Sequence, residues 1–176
     1  NTTSGRGELG LFHEYRYTTA GSALGSAIAD FFPASSSINL QAGSYYEIDC
    51  MAYFLKTTAA TVTWTWLFSS APTMARSYYV GTVATGFTTT TVTGTPVTGM
   101  AVVQAATTLA HAATASLTTA VYHHYHFKVH VITNAACNMR LRVTTGDGST
   151  GGTVTPQAGS YYTVRKIGAN VGSFAT

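Results

Sequence analysis

The chain has 176 residues, of which nine are Lys or Arg and six are Asp or Glu, and its formal net charge is +3. Soluble domains carry roughly 25% charged residues, whereas here 9% are charged and 32 residues are threonine. Few charges beside 45% hydrophobic residues exclude an intrinsically disordered chain and a coiled coil. Threonine, valine and tyrosine suit a pleated, half-buried surface. The composition therefore predicts an all-β domain with an unusually neutral surface.

The same composition weighs against two classes of partner. The basic residues are scattered, whereas phosphate binding needs many of them on one face, so no nucleic acid is expected. No apolar run reaches the length of a membrane helix, about 18 residues, so no membrane partner is expected. The neutral surface favours contact with other subunits, because interface cores are poor in Lys, Glu and Asp and rich in Tyr.

The N-terminal part of the chain predicts an arm followed by one strand. Residues 1–9 are mostly small and polar, and residues 10–19 contain spaced aromatic residues. Residues 1–20 are therefore predicted to form an N-terminal arm and the first strand, and residues 20–37 a loop with one helical turn. Residues 21–176 are predicted to form the β-sandwich, within one domain overall, because the length suits a single core.

Two early segments alternate with the two-residue period of a half-buried strand. In residues 44–55 one face is apolar and the other carries Glu47 and Asp49. In residues 61–68 threonines alternate with apolar residues that include both tryptophans. The predicted core positions of these two strands are Tyr46, Ile48, Cys50, Ala52, Phe54, Val62, Trp64, Trp66 and Phe68.

The middle of the chain is less regular. Residues 77–85 predict a strand. Residues 86–99 are rich in Thr and Gly and contain Pro96, which a central strand does not tolerate, so they predict an excursion loop or a ragged edge strand. Residues 100–106 predict a short strand. Residues 107–119 are ambiguous, because their alanines permit a helix and their threonines oppose one.

Three late segments complete the predicted strands: residues 121–132, 138–143 and 160–167. In the first, the odd positions are predicted to face inward, and the even positions carry three histidines and Lys128. Seven to nine short strands separated by turns predict a single-domain β-sandwich with jelly-roll topology.

A six-residue sequence occurs twice. Gln-Ala-Gly-Ser-Tyr-Tyr stands at residues 41–46 and again at 157–162, each time opening a predicted strand. The repeat predicts that both strands begin after the same turn, in which a glycine relaxes the backbone. If these two strands are neighbours, Glu47 or Asp49 would face Arg165.

Histidines cluster on the strand at residues 121–132. His124 and His126 lie two residues apart on one face, a spacing that can chelate zinc. Lys128 on that face would repel a cation and no nearby acid or thiol completes a site, so these two are weak candidates, and no metal or other cofactor is predicted. The alternative is that His124, His126 and His130 line a subunit contact that weakens when they become charged below about pH 6.5.

Paired tyrosines recur in three predicted strands and place one ring on each face. Tyr45, Tyr53, Tyr79 and Tyr161 are the outward rings and the candidates for an interface, because tyrosine combines a large apolar area with one polar group. They would stack on sugars or on another subunit. A structural alternative is that they cover the second sheet or a loop.

No enzyme signature is found. The chain lacks a Gly-x-Ser-x-Gly turn, a phosphate-binding loop and a dinucleotide fingerprint. Cys50 lies on the core face, which is unsuitable for a nucleophile, and Cys50 and Cys137 are expected to be free thiols. Glu47 and Asp49 lie about 7 Å apart by two strand rises, and ion pairing with an Arg-bearing strand is preferred to a glycosidase pair. No catalytic residue is predicted.

Several short motifs follow one another between residues 36 and 168. Residues 38–49 read INLQAGSYYEID, a Thr/Trp strand and a Ser-Ala-Pro turn follow, and VTPQAGSYY closes the series at residues 154–162. This order resembles small structural proteins of tailed bacteriophages that have a jelly-roll, TNF-like sandwich. The resemblance implies that fold and no catalytic residues. The Thr-rich segment 86–99 departs from many of those relatives, so its contacts stay open.

The role implied by the resemblance is capsid decoration. Such a protein would form a homotrimer on the outer capsid surface of the virion and bind the major capsid protein, cementing neighbouring capsomers. Three alternatives stay open: a glycan- or receptor-binding head of a tail or fibre protein, a small jelly-roll capsid protein, and a glycan hydrolase. The low number of acids argues against the hydrolase.

Overall fold

The computed structural model describes residues 12–57, 60–87, 92–112, 122–146 and 152–169. In this part of the chain there are twelve β-strands, one 3-10 turn at Ala34–Ser36 and no α-helix. The strands are β1 Phe12–Arg16, β2 Ala29–Asp30, β3 Ile38–Leu40, β4 Ser44–Lys56, β5 Val62–Phe68, β6 Met74–Phe87, β7 Val92–Val103, β8 Thr108–Ala110, β9 Tyr122–Thr133, β10 Cys137–Thr145, β11 Val154–Pro156 and β12 Tyr161–Ala169.

Short strands explain why the described residues contain more strands than the seven to nine predicted. β2, β3, β8 and β11 have two or three residues each, too few to show a period. The single helical turn predicted in the loop at 20–37 is the 3-10 turn. Most of the predicted N-terminal arm, residues 1–11, lies outside the described residues. No described helix is long and apolar enough to cross a membrane.

The strands form two antiparallel sheets. In the first sheet the order is β1-β12-β4-β9-β6-β7, with β11 also paired to β4, and in the second it is β2-β10-β5-β8, with β3 also paired to β10. The pairs nest along the chain: β1 pairs with β12, β2 and β3 with β10, β4 with β9, and β5 with β8. Nested antiparallel pairs divided between two sheets are the jelly-roll arrangement. The predicted all-β, jelly-roll sandwich is confirmed.

The β6–β7 hairpin is an addition to this nested set. It is inserted between β5 and β8, and it extends the first sheet beyond β9. Of the two predictions for residues 86–99, the edge strand is correct for the described residues, because 86–87 end β6 and 92–99 belong to β7, the last strand of the sheet. Residues 88–91 lie outside the described part of the chain. Pro96 lies in that edge strand, where a missing N–H need not break a ladder.

The repeated six-residue sequence opens two neighbouring strands. β4 and β12 pair antiparallel, with Glu47 opposite Arg165, as the repeat predicted. Gly43 and Gly159 precede the two strands with φ of 58° and 93°, which a side chain would disfavour. Both copies therefore use the same kind of turn.

The core lies between the two sheets, and strand alternation placed it correctly. Trp64 and Trp66 are 0% and 1% exposed, and their rings pack edge-on against Phe127 at 5.4 and 5.9 Å between centroids. Truncating either ring to alanine would cost about 3–5 kcal/mol. Cys50 and Cys137 are free thiols, as expected. Both are buried, one in each sheet, whereas burial was expected for Cys50 alone.

Candidate interaction surface

Five strands of the first sheet share one outer face, on the side away from the core. Across this face the strands follow the order β12-β4-β9-β6-β7. Its half on β12, β4 and β9, here called the polar ladder, is formed by Tyr45, Glu47, Asp49, His126, Lys128, His130, Tyr161 and Arg165. Its half on β6 and β7, here called the apolar strip, is formed by Tyr78, Val80, Met100 and Val102.

Glu47 is the centre of charge pairing in the polar ladder. It lies on β4 between a cation on each neighbouring strand, with Lys128 Nζ and Arg165 Nη2 each 3.0 Å from its Oε1. The hydrogen bond from Lys128 is the main reason that the pKa of Glu47 is lowered, and the charges of Lys128 and Arg165 act in the same direction. The prediction that an acid of β4 pairs with Arg165 is confirmed.

Asp49 and His126 form the second polar group of the ladder. Nε2 of His126 lies 2.9 and 3.0 Å from the two carboxylate oxygens of Asp49. The Tyr161 hydroxyl donates to the same carboxylate at 3.2 Å. Burial first, and then the charge of Asp49, raises the pKa of Tyr161. The outward orientation predicted for Tyr161 is correct, but its hydroxyl is used within the subunit.

His130 is held by Tyr45, which lies on the neighbouring strand. The Tyr45 hydroxyl and His130 Nδ1 are 2.6 Å apart. The pKa of His130 is lowered, mainly because the ring is partly buried and also because Arg76 lies nearby. These two predicted interface residues therefore contact each other on the outer face.

Tyr53 and His124 lie at the end of the outer face nearest the start of β9. Tyr53 stacks on Tyr122 with centroids 5.4 Å apart, and burial and Tyr122 raise its pKa. His124 is exposed and lies opposite Tyr53 in the β4–β9 register. This end of the face combines aromatic surface with one exposed imidazole.

The histidines of β9 do not converge with further ligands in the described residues. No group of three His, Cys, Asp or Glu side chains there could hold a metal ion. His126 contacts Asp49, and Lys128, which lies between His126 and His130 on the same face, pairs with Glu47. The ladder histidines are thus part of hydrogen-bonded pairs.

Tyr79 is not an outward ring, so its assignment to the interface is wrong. It is buried, with 6% exposure, whereas Tyr78 is 46% exposed. The β6 segment carries an apolar residue on both faces at this point, so alternation alone assigned the wrong member of the pair. Its ring lies over Gly99 on β7, where an added Cβ would come within 2.4 Å of the ring. That glycine is the signal that could have placed Tyr79 inside.

The apolar strip is a feature that no segment of the sequence predicted. Tyr78 lies directly opposite Met100, and Val80 and Val102 flank them. The exposed fractions are 46% for Tyr78, 49% for Val80, 78% for Met100 and 57% for Val102. Contiguous exposed apolar side chains are typical of interaction sites. The absence of any charged residue in β7 was the available signal.

The remaining described carboxylates are also paired. Asp30 lies 2.7 Å from Nη1 of Arg140 and 3.3 Å from Nε of Arg142. Glu14 lies 2.8 Å from Nη2 of Arg16. The two carboxylates of the ladder are engaged as described above. Among the described residues, the acids therefore take part in structural pairs, as was preferred for Glu47 and Asp49.

Comparisons with known proteins identify no family. No family model matches the chain, and no curated protein matches it. Among solved structures, it is similar to Eiger TNF from S. frugiperda at 8% identity and a TM-score of 0.36, over 97% of this chain and 94% of that one. It is also similar to a chain of infectious bursal disease virus Gt strain at 12% identity and a TM-score of 0.21, over 89% of this chain and 42% of that one. The class, a jelly-roll β-sandwich, follows from the strand order itself.

Proposed function

We propose that this chain is a virion structural protein of the capsid-decoration type. It self-associates as a homotrimer through the outer face of the first sheet and binds the major capsid protein on the outer capsid surface. The observation that supports this proposal is the apolar strip of Tyr78, Val80, Met100 and Val102 on a face whose carboxylates, Glu47 and Asp49, are already paired. No catalytic residue and no cofactor takes part.

The two halves of the outer face support self-association in different ways. The apolar strip offers area whose removal from water is favourable, at roughly 25 cal/mol per Å². The polar ladder has its carboxylates already engaged by Lys128, Arg165 and His126, so covering it leaves no unpaired acid. Low charge and exposed tyrosine and methionine are features of interface cores.

Decoration would stabilise a capsid through multivalency. Each subunit's contact with the lattice can be weak, because a trimer engages several capsomers and its second and third contacts form at high effective concentration. Binding energy that exists only in the assembled lattice raises the free energy needed to rupture it. This mechanism needs a neutral, self-associating sandwich and no reactive group.

The test combines the mass of the isolated protein with its binding to capsids that lack it. We expect a mass near three copies of the 18.5 kDa chain and saturable binding to the capsid surface. Bound capsids should resist heating better than bare ones. A stable monomer that does not bind capsids would overturn the proposal. Closed particles formed by the protein alone would instead favour a small jelly-roll capsid protein.

A glycan-binding head is the second candidate. It is favoured by the stacked pair Tyr53 and Tyr122, of which Tyr122 is 37% exposed, because exposed aromatic rings can stack on sugars. The isolated protein should then bind a glycan array, and Tyr122→Ala should abolish the signal. A decoration protein gives no array signal and still binds capsids, so the two functions are separable.

A further inference from the structure

His111 is a buried imidazole that directly follows the edge strand β8. It is 3% exposed, and its ring packs edge-on against Tyr79 at 5.0 Å and lies 5.8 Å from Phe127, between centroids. Its backbone N–H donates to the carbonyl of Trp64 at 2.9 Å. His111 therefore attaches the end of β8 to β5 and inserts its ring between the two sheets.

The hydrogen bonds around His111 select the neutral imidazole. The indole N–H of Trp66 donates to Ser77 Oγ at 3.2 Å, and His111 Nε2 lies 3.0 Å from the same oxygen. Since the indole can only donate, the Ser77 hydroxyl accepts from it and is free to donate to His111 Nε2. That arrangement places the ring proton on Nδ1. The other tautomer would leave the Ser77 hydroxyl hydrogen without an acceptor in these contacts.

A protonated imidazole has no complementary group in this site. Protonation of Nε2 would remove the hydrogen bond that the Ser77 hydroxyl donates to it, and Nδ1 has no hydrogen-bond partner in the described residues whether the ring is neutral or charged. The unfavourable burial of a charge lowers the pKa of His111 to about 4. Protonation of the ring is therefore opposed by both hydrogen bonding and solvation.

No charged side chain described on the surrounding strands faces the ring. The side chains of β6 that contact the ring are Ser77 and Tyr79. Burial raises the pKa of the Tyr79 phenol. On β5, the large side chains on the core face are the two tryptophans. The other titratable groups on the core face of β9 are His123 and Tyr125. The charged and titratable groups on the opposite, outer face of β4, β6 and β9 are Tyr45, Glu47, Asp49, Tyr53, Arg76, Tyr78, Tyr122, His124, His126, Lys128 and His130.

β8 has few other attachments. It is a three-residue strand at the edge of the second sheet, and its one buried side chain is Leu109, between exposed Thr108 and Ala110. Just before it, the Phe68 N–H donates to the carbonyl of Thr107 at 2.8 Å. An edge element with one buried apolar side chain is a natural unit of local unfolding.

We propose that His111 is an acid-sensitive latch, which holds β8 on β5 while the imidazole is neutral and releases β8 when the imidazole is protonated. Release uncovers the backbone edge of β5 and the Trp66 side of the core. The rest of the sandwich stays folded, because β10 still pairs with the other edge of β5. The fold thus contains a local response to acid that is separate from the ladder histidines.

Hydrogen exchange of the full chain between pH 7.5 and 4.5, corrected for the intrinsic exchange rate, tests the latch. The opening equilibrium at the Phe68 and His111 amides should rise on the order of 50-fold by pH 4.5, while the amides between β5 and β10 stay protected. His111→Gln, which cannot titrate, should lose this rise, and the matched surface variant His124→Gln should keep it. Opening that does not depend on pH, or that persists in His111→Gln, would overturn the proposal.

A titration of the wild-type imidazoles by NMR gives an independent answer if His111→Gln does not fold. His111 should show the Nδ1–H tautomer at neutral pH and should remain neutral down to about pH 5, below the ordinary pKa of a histidine. Loss of the β8 amide protection should begin below the ordinary histidine pKa of 6.5 and level off as the ring of the closed state titrates, because the opened state binds the proton first. If His111 titrates at the ordinary pKa of an exposed histidine, the latch is refuted.

Discussion

The two halves of the outer face lie on the same side of one sheet, but they expose different side chains to water. The polar ladder pairs its charges within the subunit, with Glu47 between Lys128 and Arg165 at 3.0 Å from each. The apolar strip exposes up to 78% of a side chain at Met100. The ladder thus contributes to the stability of the single chain, whereas the strip gains stability only when another surface covers it.

The largest expected effect comes from placing charges in the apolar strip. In Met100→Asp/Val102→Asp the dissociation constant of self-association should rise at least about 100-fold, or about 3 kcal/mol, because two carboxylates would be desolvated without partners. The free energy of unfolding of the monomer should change by less than about 0.5 kcal/mol at such exposed sites. Sedimentation or light scattering measures the first quantity, and chemical denaturation the second.

A matched control for these charges lies on the second sheet. Asn138 is exposed on β10, opposite Asn39, so Asn138→Asp adds a carboxylate on the other side of the sandwich. It should leave self-association unchanged. If the double variant associates like the wild type, the strip is not the self-association surface and the difference between the two halves has no functional meaning.

A smaller effect is expected in the polar ladder, where a substitution should change the stability of the single chain rather than its self-association. Glu47→Gln should lower the free energy of unfolding by about 1 kcal/mol, because Lys128 and Arg165 lose their shared partner in a partly exposed setting. The pKa of Glu47 is lowered in the folded state, so its contribution is present above the unfolded value of 4.5 and is lost as the pH falls through the folded value. Wild type and variant should therefore differ at pH 7 and converge in acid.

The oligomer mass of Glu47→Gln should be measured by sedimentation or light scattering alongside its chemical denaturation. A variant that keeps its stability at pH 7 would show that the ladder charges are too well solvated to matter. A variant that dissociates without losing stability would mean that the ladder, rather than the strip, forms the contact.

Local alternation was sufficient to predict the core and much of the polar ladder. β4, β5 and β9 alternate cleanly, so the inward position of Trp64 and the outward position of Glu47 follow from a two-residue period. The pairing of Glu47 with Arg165 was also predictable, because a repeated sequence opens both strands. These features need only local periodicity and one internal comparison.

Predicting the exposed strip and the buried positions of Tyr79 and His111 required information that a single segment does not contain. Residues 86–99 look like a loop by their Thr, Gly and Pro content, but the described residues 92–99 form a strand because they pair with β6. Tyr79 is buried because Gly99, twenty residues later, leaves space for its ring. His111 lies in a segment without a period, and its partner Ser77 is 34 residues earlier. Non-local pairing therefore decided each of these cases.

The smallest expected effect lies at the boundary between the two halves. Arg76 on β6 stands opposite His130 of the ladder and opposite Val102 of the strip. Burial is the main cause that lowers the pKa of His130, and the charge of Arg76 is the second. Arg76→Gln should therefore raise the pKa of His130 toward its ordinary value, and NMR titration of the ring measures this change.

The sign of the effect on stability follows from the direction of that pKa. A histidine with a lowered pKa in the folded state favours folding when neutral, and this contribution is lost as the pH falls below the ordinary value. Arg76→Gln should make the loss smaller, and added salt should remove the difference because Arg76 is exposed and its charge is screened. Arg16→Gln, on β1 at the other end of the sheet, serves as the control and should leave His130 unchanged. An unchanged pKa of His130 in Arg76→Gln at low salt would mean that Arg76 does not act on this ring, and that the ladder and the strip are electrostatically independent.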